Sequence, residues 1–454
     1  MGISNERLDI LRAECANRGL NAFLIRDTSN ISWLTAFDGV FDSEQAHALY
    51  VDPRQAVLHT DSRYVTACER SAQARGGAVT VSAERVSHAK FASALWASRG
   101  DSAEEGCAVG GAAQSHGAAQ LHGATADTFD EPLPWECSPA PARTNARLGI
   151  EDAISLAEFR ALEKAFAEGE AAAVSTDATA TDALGATGAA PTFVTAPEPA
   201  ATPAATPAPA LASVFVETSG VVLSLRAVKD ETEIARMRTA QAITDAALDH
   251  ILGFMRPGLT EREVQLELED YMVRHGASCL AFPSIVATGA NGASPHAIPG
   301  ETVLQAGQCV VLDFGARAQG YCSDMTRTIF LGQPDAEMRA AWETMRRANE
   351  EVQAMLRPGV TGKQAHELAE EILKQGGFGG RMGHGLGHGV GIDIHEEPVL
   401  SPRNEAPLVA GNVVTVEPGI YIPGRFGMRL EDFGVVTETG FDRFTCSTHE
   451  MIVL

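Results

Sequence analysis

The chain has 454 residues, of which 45% are hydrophobic and 21% charged, and its formal net charge is −24. At ~150 residues per domain that length implies two or three domains with a sizeable core, and so acidic a surface excludes nucleic acid and anionic membrane as main partners. No apolar run reaches the ~18 residues that span a bilayer, the start MGISNERLDILRAE lacks a leader's apolar stretch, and the eight cysteines form no CxxC pair, so a reduced, cytoplasmic protein is expected.

In chain order, a helical pattern begins at Asn5 and runs through Leu8, Leu11 and Cys15. NAFLIRD reads as a buried strand, and HALYVD and AVLHTD as two more, which makes residues 1–166 an α/β segment. Residues 167–212 turn to Ala, Thr and Pro without a period and read as a disordered insertion. SVFVETSGVVLSLRAVKD then reads as strand-rich. Asp230 and Glu233 have capping-box spacing, and the helix they open shows an apolar side through Ile234, Met237, Ala240, Ala247, Leu248 and Ile251. Gln241 and Thr244 interrupt that side.

An internal repeat follows. Phe254-Met255-Arg256-Pro257-Gly258-Leu259-Thr260 is echoed by Met355-Leu356-Arg357-Pro358-Gly359-Val360-Thr361, at an offset of 355 − 254 = 101. Each copy continues into an acidic amphipathic helix opened by a capping box, Thr260/Glu263 and Thr361/Gln364. Two copies at that spacing indicate two halves with pseudo-two-fold symmetry, with a site drawing ligands from both; a solenoid needs three or more repeats.

Three clusters carry chemistry. CVVLDFGARAQGYCSDMTRTIF holds Asp313 and Asp324. An Asp inside a buried strand is costly unless it is paired or metal-bound, and a hairpin turning within Gly315 to Gly320 sets the two carboxylates on one face. Arg317 or Arg327 as the pairing partner is the structural alternative. GHGLGHGVGIDIHE brings His384, His388 and His395 among glycines; it satisfies neither GxGxxG nor HExxH. VVTVEPGIYIPGRFGMRLEDFGVV holds Glu417 and Glu431 beside apolar strands. Two Asp, one His and two Glu suit a pair of divalent cations such as Mn2+ better than a structural zinc.

In order and spacing, DFG…SDMTRT, GHGLGHGVGIDIHEEP, VEPGIY and RLEDFG resemble the pita-bread metallopeptidases: aminopeptidase P, prolidase and methionine aminopeptidase, with creatinase as a metal-free cousin. The resemblance implies an α/β (α+β) chain: a creatinase-type N-terminal domain over 1–225, then a catalytic domain over 226–454 with a curved antiparallel sheet. It implies that Asp313, Asp324, His388, Glu417 and Glu431 hold two divalent ions, Mn2+ or alternatively Co2+ or Zn2+. It further implies that His296 and His395 contact the reacting peptide, that Glu417 also shuttles a proton, that His384 lines the pocket, and that Tyr421 and Arg429 stand either behind the ligands or in the pocket. The expected activity is removal of an N-terminal residue preceding proline, from a proline-containing peptide, by a homodimer. A dipeptide-only prolidase and a catalytically inactive binding module are the alternatives. Methionine aminopeptidase fits less well, because that branch usually lacks the N-terminal domain.

Overall fold

The computed structural model describes residues 3–42, 44–99, 146–152, 154–180 and 214–454. These residues fall into two compact units divided between Gly220 and Val221. No helix among the described residues is long and apolar enough to cross a membrane.

The first unit carries a six-stranded sheet. Its strands are β1 (Ala22–Ile25), β2 (His47–Val51), β3 (Ala56–Thr60), β4 (Thr80–Ser82), β5 (Leu148–Glu151) and β6 (Phe215–Thr218), in the order β4-β3-β2-β1-β5-β6. β1–β2 and β2–β3 are antiparallel, while β3–β4, β1–β5 and β5–β6 are parallel. β1, β2, β3 and β5 are buried along their whole length, which is why they read as continuous apolar runs rather than alternating ones. The helices are α1 (Ile3–Asn17), α2 (Thr28–Thr35), α3 (Val65–Ala74), α4 (His88–Ser98) and α5 (Leu156–Ala180). Phe91, Leu162 and Phe166 pack against Leu24, Tyr50 and Leu148 of the sheet. α5 corrects the insertion drawn over 167–212: residues 167–180 continue the helix, as an Ala- and Glu-rich run can. The remainder of that stretch, 181–212, lies outside the described residues.

The second unit opens with a second correction. The stretch expected to be strand-rich holds β6, but after Gly220, whose φ is +64°, the chain turns into α6 (Val221–Arg226). Val221, Val222 and Arg226 are buried, so tertiary packing overrides the strand preference of the two valines. α7 (Glu231–Phe254) and α8 (Glu261–Arg274) follow, each opened by a complete capping box. Next come β7 (Cys279–Leu280), β8 (Ile285–Thr288), β9 (Cys309–Phe314), β10 (Ala316–Ala318), β11 (Tyr321–Cys322) and β12 (Met325–Phe330). The second half repeats the helix pair as α9 (Ala336–Met355) and α10 (Gly362–Gln375). It adds β13 (Gly387–Gly389), β14 (Glu396–Leu400), β15 (Val413–Val416), β16 (Gly419–Ile422), β17 (Phe426–Arg429), β18 (Asp432–Val436), β19 (Phe441–Arg443) and β20 (Ile452–Val453).

A four-stranded sheet in the order β20-β12-β9-β8 is built on the first half, with β20 added from the chain's last residues, and a five-stranded sheet in the order β14-β13-β15-β18-β19 belongs to the second half. All their pairings are antiparallel except β12–β20. Each half has its own core: Leu248, Ile251, Leu268, Val310 and Leu312 in the first, Trp342, Met345, Ile372, Val414 and Val436 in the second.

The interruptions in the α7 stripe prove to be part of its packed face. Gln241 and Thr244 are fully buried. The Thr244 hydroxyl lies 2.7 Å from Ser323 Oγ and accepts from the backbone N–H of Ala316 at 3.1 Å. The Thr244 hydroxyl therefore satisfies the hairpin that follows β9, where the strand ladder is broken, while Gln241 Nε2 reaches Met325 Sδ at 3.8 Å.

Candidate metal centre

The hairpin from β9 to β12 places both aspartates. The register pairs Asp313 with Thr326. Asp324 sits two residues before Thr326 and so projects from the same face as Asp313, as a diagonal neighbour. The hairpin closes on Gln319 and Gly320, with φ of 52° and 83°, the two left-handed residues of a mirror-image turn between Ala318 and Tyr321. Close approach continues at Gly315, where a Cβ would meet Ser323 O at 2.0 Å; only glycine lets the strands close beside Asp324. Neither arginine considered as a structural partner pairs with Asp313. Arg327 is engaged by Asp432 at 2.8 Å, and Arg317 donates to Gly320 O.

The second half supplies the other three residues. His388 lies on β13, and its ring Nδ1 bonds Gly389 O at 3.0 Å. That bond requires the proton on Nδ1 and leaves a lone pair on Nε2. Nε2 stands 3.5 Å from Asp324 Oδ2 and 3.6 Å from Glu417 Oε1. Glu417 follows β15 directly. Glu431 lies between β17 and β18 and accepts from the Thr326 hydroxyl at 2.6 Å. Ligand atoms of Asp324, His388 and Glu431 all lie within 4.8 Å of one another.

Asp313 joins the group through Arg429, whose Nη2 donates to Asp313 Oδ2. The same guanidinium donates from Nε to Thr326 Oγ1 at 2.9 Å and from Nη1 to Tyr421 OH at 2.8 Å and Pro295 O at 3.3 Å; its Nε is 4.0 Å from Glu417. Arg429 is buried, and these donors are committed inside the protein. It therefore holds the site together from behind the ligands, one of the two positions the resemblance implied, rather than reaching for a substrate carboxylate, the other. Tyr421 is buried too, and its hydroxyl contacts His384 Nε2 at 3.1 Å while His384 Nδ1 bonds Gly385 O at 2.6 Å. With Nδ1 as donor, the polarity runs from Arg429 to Tyr421, from Tyr421 to His384, and from His384 to a carbonyl. His395 packs edge-on to His388 at 4.4 Å between ring centroids. It and His296 are exposed, so they stand at the open side of the buried acids.

The electrostatics describe a site short of positive charge, with the guanidinium of Arg429 facing Asp313, Asp324, Glu417 and Glu431. Burial, and then repulsion from Glu431, Asp313 and Glu417, pushes the Asp324 carboxyl well above the usual range. Burial and then Glu417 and Asp313 do the same to Glu431. Burial carries Glu417 up to about 8, although Arg429 pulls the other way. Burial also lowers His388 and His384 to about 4, so both imidazoles are neutral. Asp313 Oδ1 is buried and accepts no hydrogen bond among the described residues. Crowded carboxylates, a neutral imidazole with its lone pair turned inward and an orphaned acid oxygen fit divalent cations.

Several residues that build the site escaped the sequence reading. Thr326 links Arg429 to Glu431. Glu261 is fully buried and accepts from Thr288 N, Asn291 Nδ2 and Gly300 N, which fastens both ends of the loop that carries His296. Glu396, next to His395, is buried between Lys229 at 2.8 Å and Arg226. Burial alone would raise its carboxyl, but Lys229 and Arg226 overcome that and hold it at about 2. An acid in a first helical turn or beside a histidine gives no sequence signal of such partners.

The profile of metallopeptidase family M24 matches residues 235–438, and that of the creatinase/prolidase N-terminal domain matches residues 7–183. The chain is 41% identical to an uncharacterized peptidase of Bacillus subtilis over 240 residues, 53% of this chain and 68% of the relative. It is 38% identical to a Xaa-Pro dipeptidase of Pyrococcus furiosus over 238 residues, 52% and 68% of the two chains. Among solved structures, a Xaa-Pro dipeptidase from Bacillus anthracis superposes with a TM-score of 0.75 at 28% identity, covering 99% of this chain and 100% of the other. An X-Pro aminopeptidase from Thermotoga maritima gives 0.68 at 26% identity, covering 96% and 98%.

Proposed function

The chain belongs to metallopeptidase family M24, with a creatinase/prolidase N-terminal domain ahead of a pita-bread catalytic domain; from that premise we propose that it is a metal-dependent exopeptidase that hydrolyses the bond before proline at a peptide's N-terminus. One observation carries the reading: Asp324, His388 and Glu431 converge to within 4.8 Å, with Glu417 3.6 Å from the same imidazole nitrogen.

Asp313, Asp324, His388, Glu417 and Glu431 would hold two divalent ions, Mn2+ first for so oxygen-rich a set. Such a pair supplies acidification of water and polarisation of the scissile carbonyl when bound. The protein's own groups do the rest. Glu417 takes the proton from the attacking water as its oxygen bonds to the carbonyl carbon, and delivers it to the proline nitrogen as the C–N bond breaks. His395 and His296, exposed at the mouth, donate to the oxygen on which negative charge develops. Arg429 keeps Asp313, Thr326 and Tyr421 in register, so the acids are in place before the peptide arrives.

Substrate length has two readings, both proline-directed. Sequence motifs suggest a Xaa-Pro aminopeptidase. The Xaa-Pro dipeptidases at 38% and 28% identity favour a dipeptidase. Comparing Mn2+-dependent hydrolysis of Xaa-Pro with Xaa-Pro-Xaa and longer peptides decides between them. A protein that cleaves neither with Mn2+, Co2+ or Zn2+ present refutes the proposal. The resemblance also leads us to expect a homodimer, which the solution mass would check.

A further inference from the structure

β15 and β18 run side by side up to the pair Val416 and Asp432. One residue on, each chain leaves the ladder for a different neighbour: Glu417 N donates to Leu386 O and Glu431 N to Thr326 O. The carbonyls just before the two glutamates, those of Val416 and Leu430, thus sit where the strands part. Both accept from the same side chain. Asn349 Nδ2, on α9, donates to Val416 O at 2.8 Å and to Leu430 O at 3.2 Å. The orientation of this amide is fixed independently, because its Oδ1 accepts from Gln353 Nε2 at 2.7 Å.

Asn349 is fully buried on an otherwise apolar helix face, with Trp342, Met345, Ala348 and Val352 as buried neighbours along α9. A buried amide there costs stability unless every group is paired. The corresponding position of the first half shows what the fold alone asks for. The repeat offset of 101 aligns 349 with 248, and Leu248 is an ordinary core residue of α7. The helix pair packs without an amide at that position. The half that has one is the half whose two glutamates stand where paired strands part, Glu417 N turning to Leu386 O and Glu431 N to Thr326 O.

We propose that Asn349 is a positioning residue that sets the separation of Glu417 and Glu431 and thereby the affinity of the site for divalent cations. The inference rests on the reading of those two glutamates as metal ligands. Partners that orient ligands from outside the coordination sphere are worth ~10–100-fold in metal affinity.

The test is titration of the metal-stripped full-length protein with Mn2+ alone, following the free ion by EPR, for the wild type, Asn349→Ala and Val352→Ala. Val352→Ala hollows the same buried helix face without touching either carbonyl. The expected result is a loss of about 10–100-fold in Mn2+ affinity for Asn349→Ala, with Val352→Ala within about twofold of wild type. Should Asn349→Ala fail to fold, Gln353→Met removes the group that orients the amide, and a loss of roughly threefold is expected. Wild-type affinity in the folded asparagine or glutamine variant overturns the inference, and so does an equal loss in Val352→Ala. A wild-type protein that binds no Mn2+ overturns the metal-site reading itself, and the inference with it.

Discussion

In the first half of the catalytic unit the chain leaves α7 through Arg256-Pro257-Gly258, exchanges backbone bonds between Gly258 N and Leu304 O and between Leu304 N and Leu259 O, and enters α8 at Thr260. In the second half it leaves α9 through Arg357-Pro358-Gly359, exchanges the matching bonds with Leu408, and enters α10 at Thr361. The capping boxes are complete in both. The difference lies in what hangs on this common frame. The residue after the first cap is Glu261, a buried acid that fastens the His296 loop. The residue after the second is Gly362, where a Cβ would strike Val399 O at 2.3 Å. The first half offers two aspartates from one hairpin, the second an imidazole and two glutamates from three segments. The polar helix positions have also shifted: Gln241 and Thr244 in α7 align with Trp342 and Met345 in α9 at the offset of 101. Duplication accounts for the scaffold, and the chemistry sits where the copies stopped being alike.

The heaviest blow to this division of labour is Glu417→Gln. The variant should keep its fold and lose all but a few per cent of turnover, because the second half's proton carrier is gone while the first half's aspartates remain; steady-state assays with saturating Mn2+ measure this, and substantial residual activity refutes the assignment. Next is the junction of the halves, where acid meets acid. Glu417 is held up to about 8, above the ~4.3 of an unfolded glutamate. Between those limits the folded metal-free protein retains a proton that the unfolded chain has released, so its stability falls as pH rises. Thermal melts from pH 6.5 to 8.5, above the range in which the lowered imidazoles of His384 and His388 pull the other way, should show a declining Tm without metal and a stabilisation by Mn2+ that widens with pH; a metal-free Tm that climbs through this range contradicts the picture.

A smaller effect separates the two helix faces. Thr244→Val strips the hydroxyl between Ser323 and Ala316 and should cost ~1–3 kcal/mol in urea unfolding, whereas Met345→Leu at the aligned position should cost less than ~1.5 kcal/mol. If the two costs match, the α7 hydroxyl has no special part in holding the Asp324 hairpin. Smallest of all, Thr260→Ala and Thr361→Ala should each cost ~1 kcal/mol. Unequal losses would mean that the two capped turns, alike in geometry, differ in energy.

The repeat, the capped helices and the buried β9 strand could be read from sequence, because each has a local signature: a turn motif, a cap spacing, or an apolar run; the five proposed ligands came from the resemblance of their four motifs, in order and spacing, to the pita-bread metallopeptidases. The rest depended on distant partners. Gln241 and Thr244 looked like flaws in a stripe because their partners, Met325 for the one and Ser323 and Ala316 for the other, lie more than seventy residues away. Asn349 lies in a helix whose sequence says nothing about two strand carbonyls. Arg429 was legible as a residue behind the ligands or in the pocket, but which groups it ties together was not, since its four partners come from three other segments and from Tyr421. α6 was missed because its two valines favour a strand until packing decides otherwise.

Arg226 and Lys229 lie in the short stretch before the first long helix, yet they neutralise Glu396 beside His395. Anyone trimming the chain to a minimal hydrolase would be tempted to begin at Asp230, where the helix cap offers a tidy start. That cut strands an enclosed negative charge and should cost ~3–5 kcal/mol, so a usable fragment has to begin at Val221 or earlier.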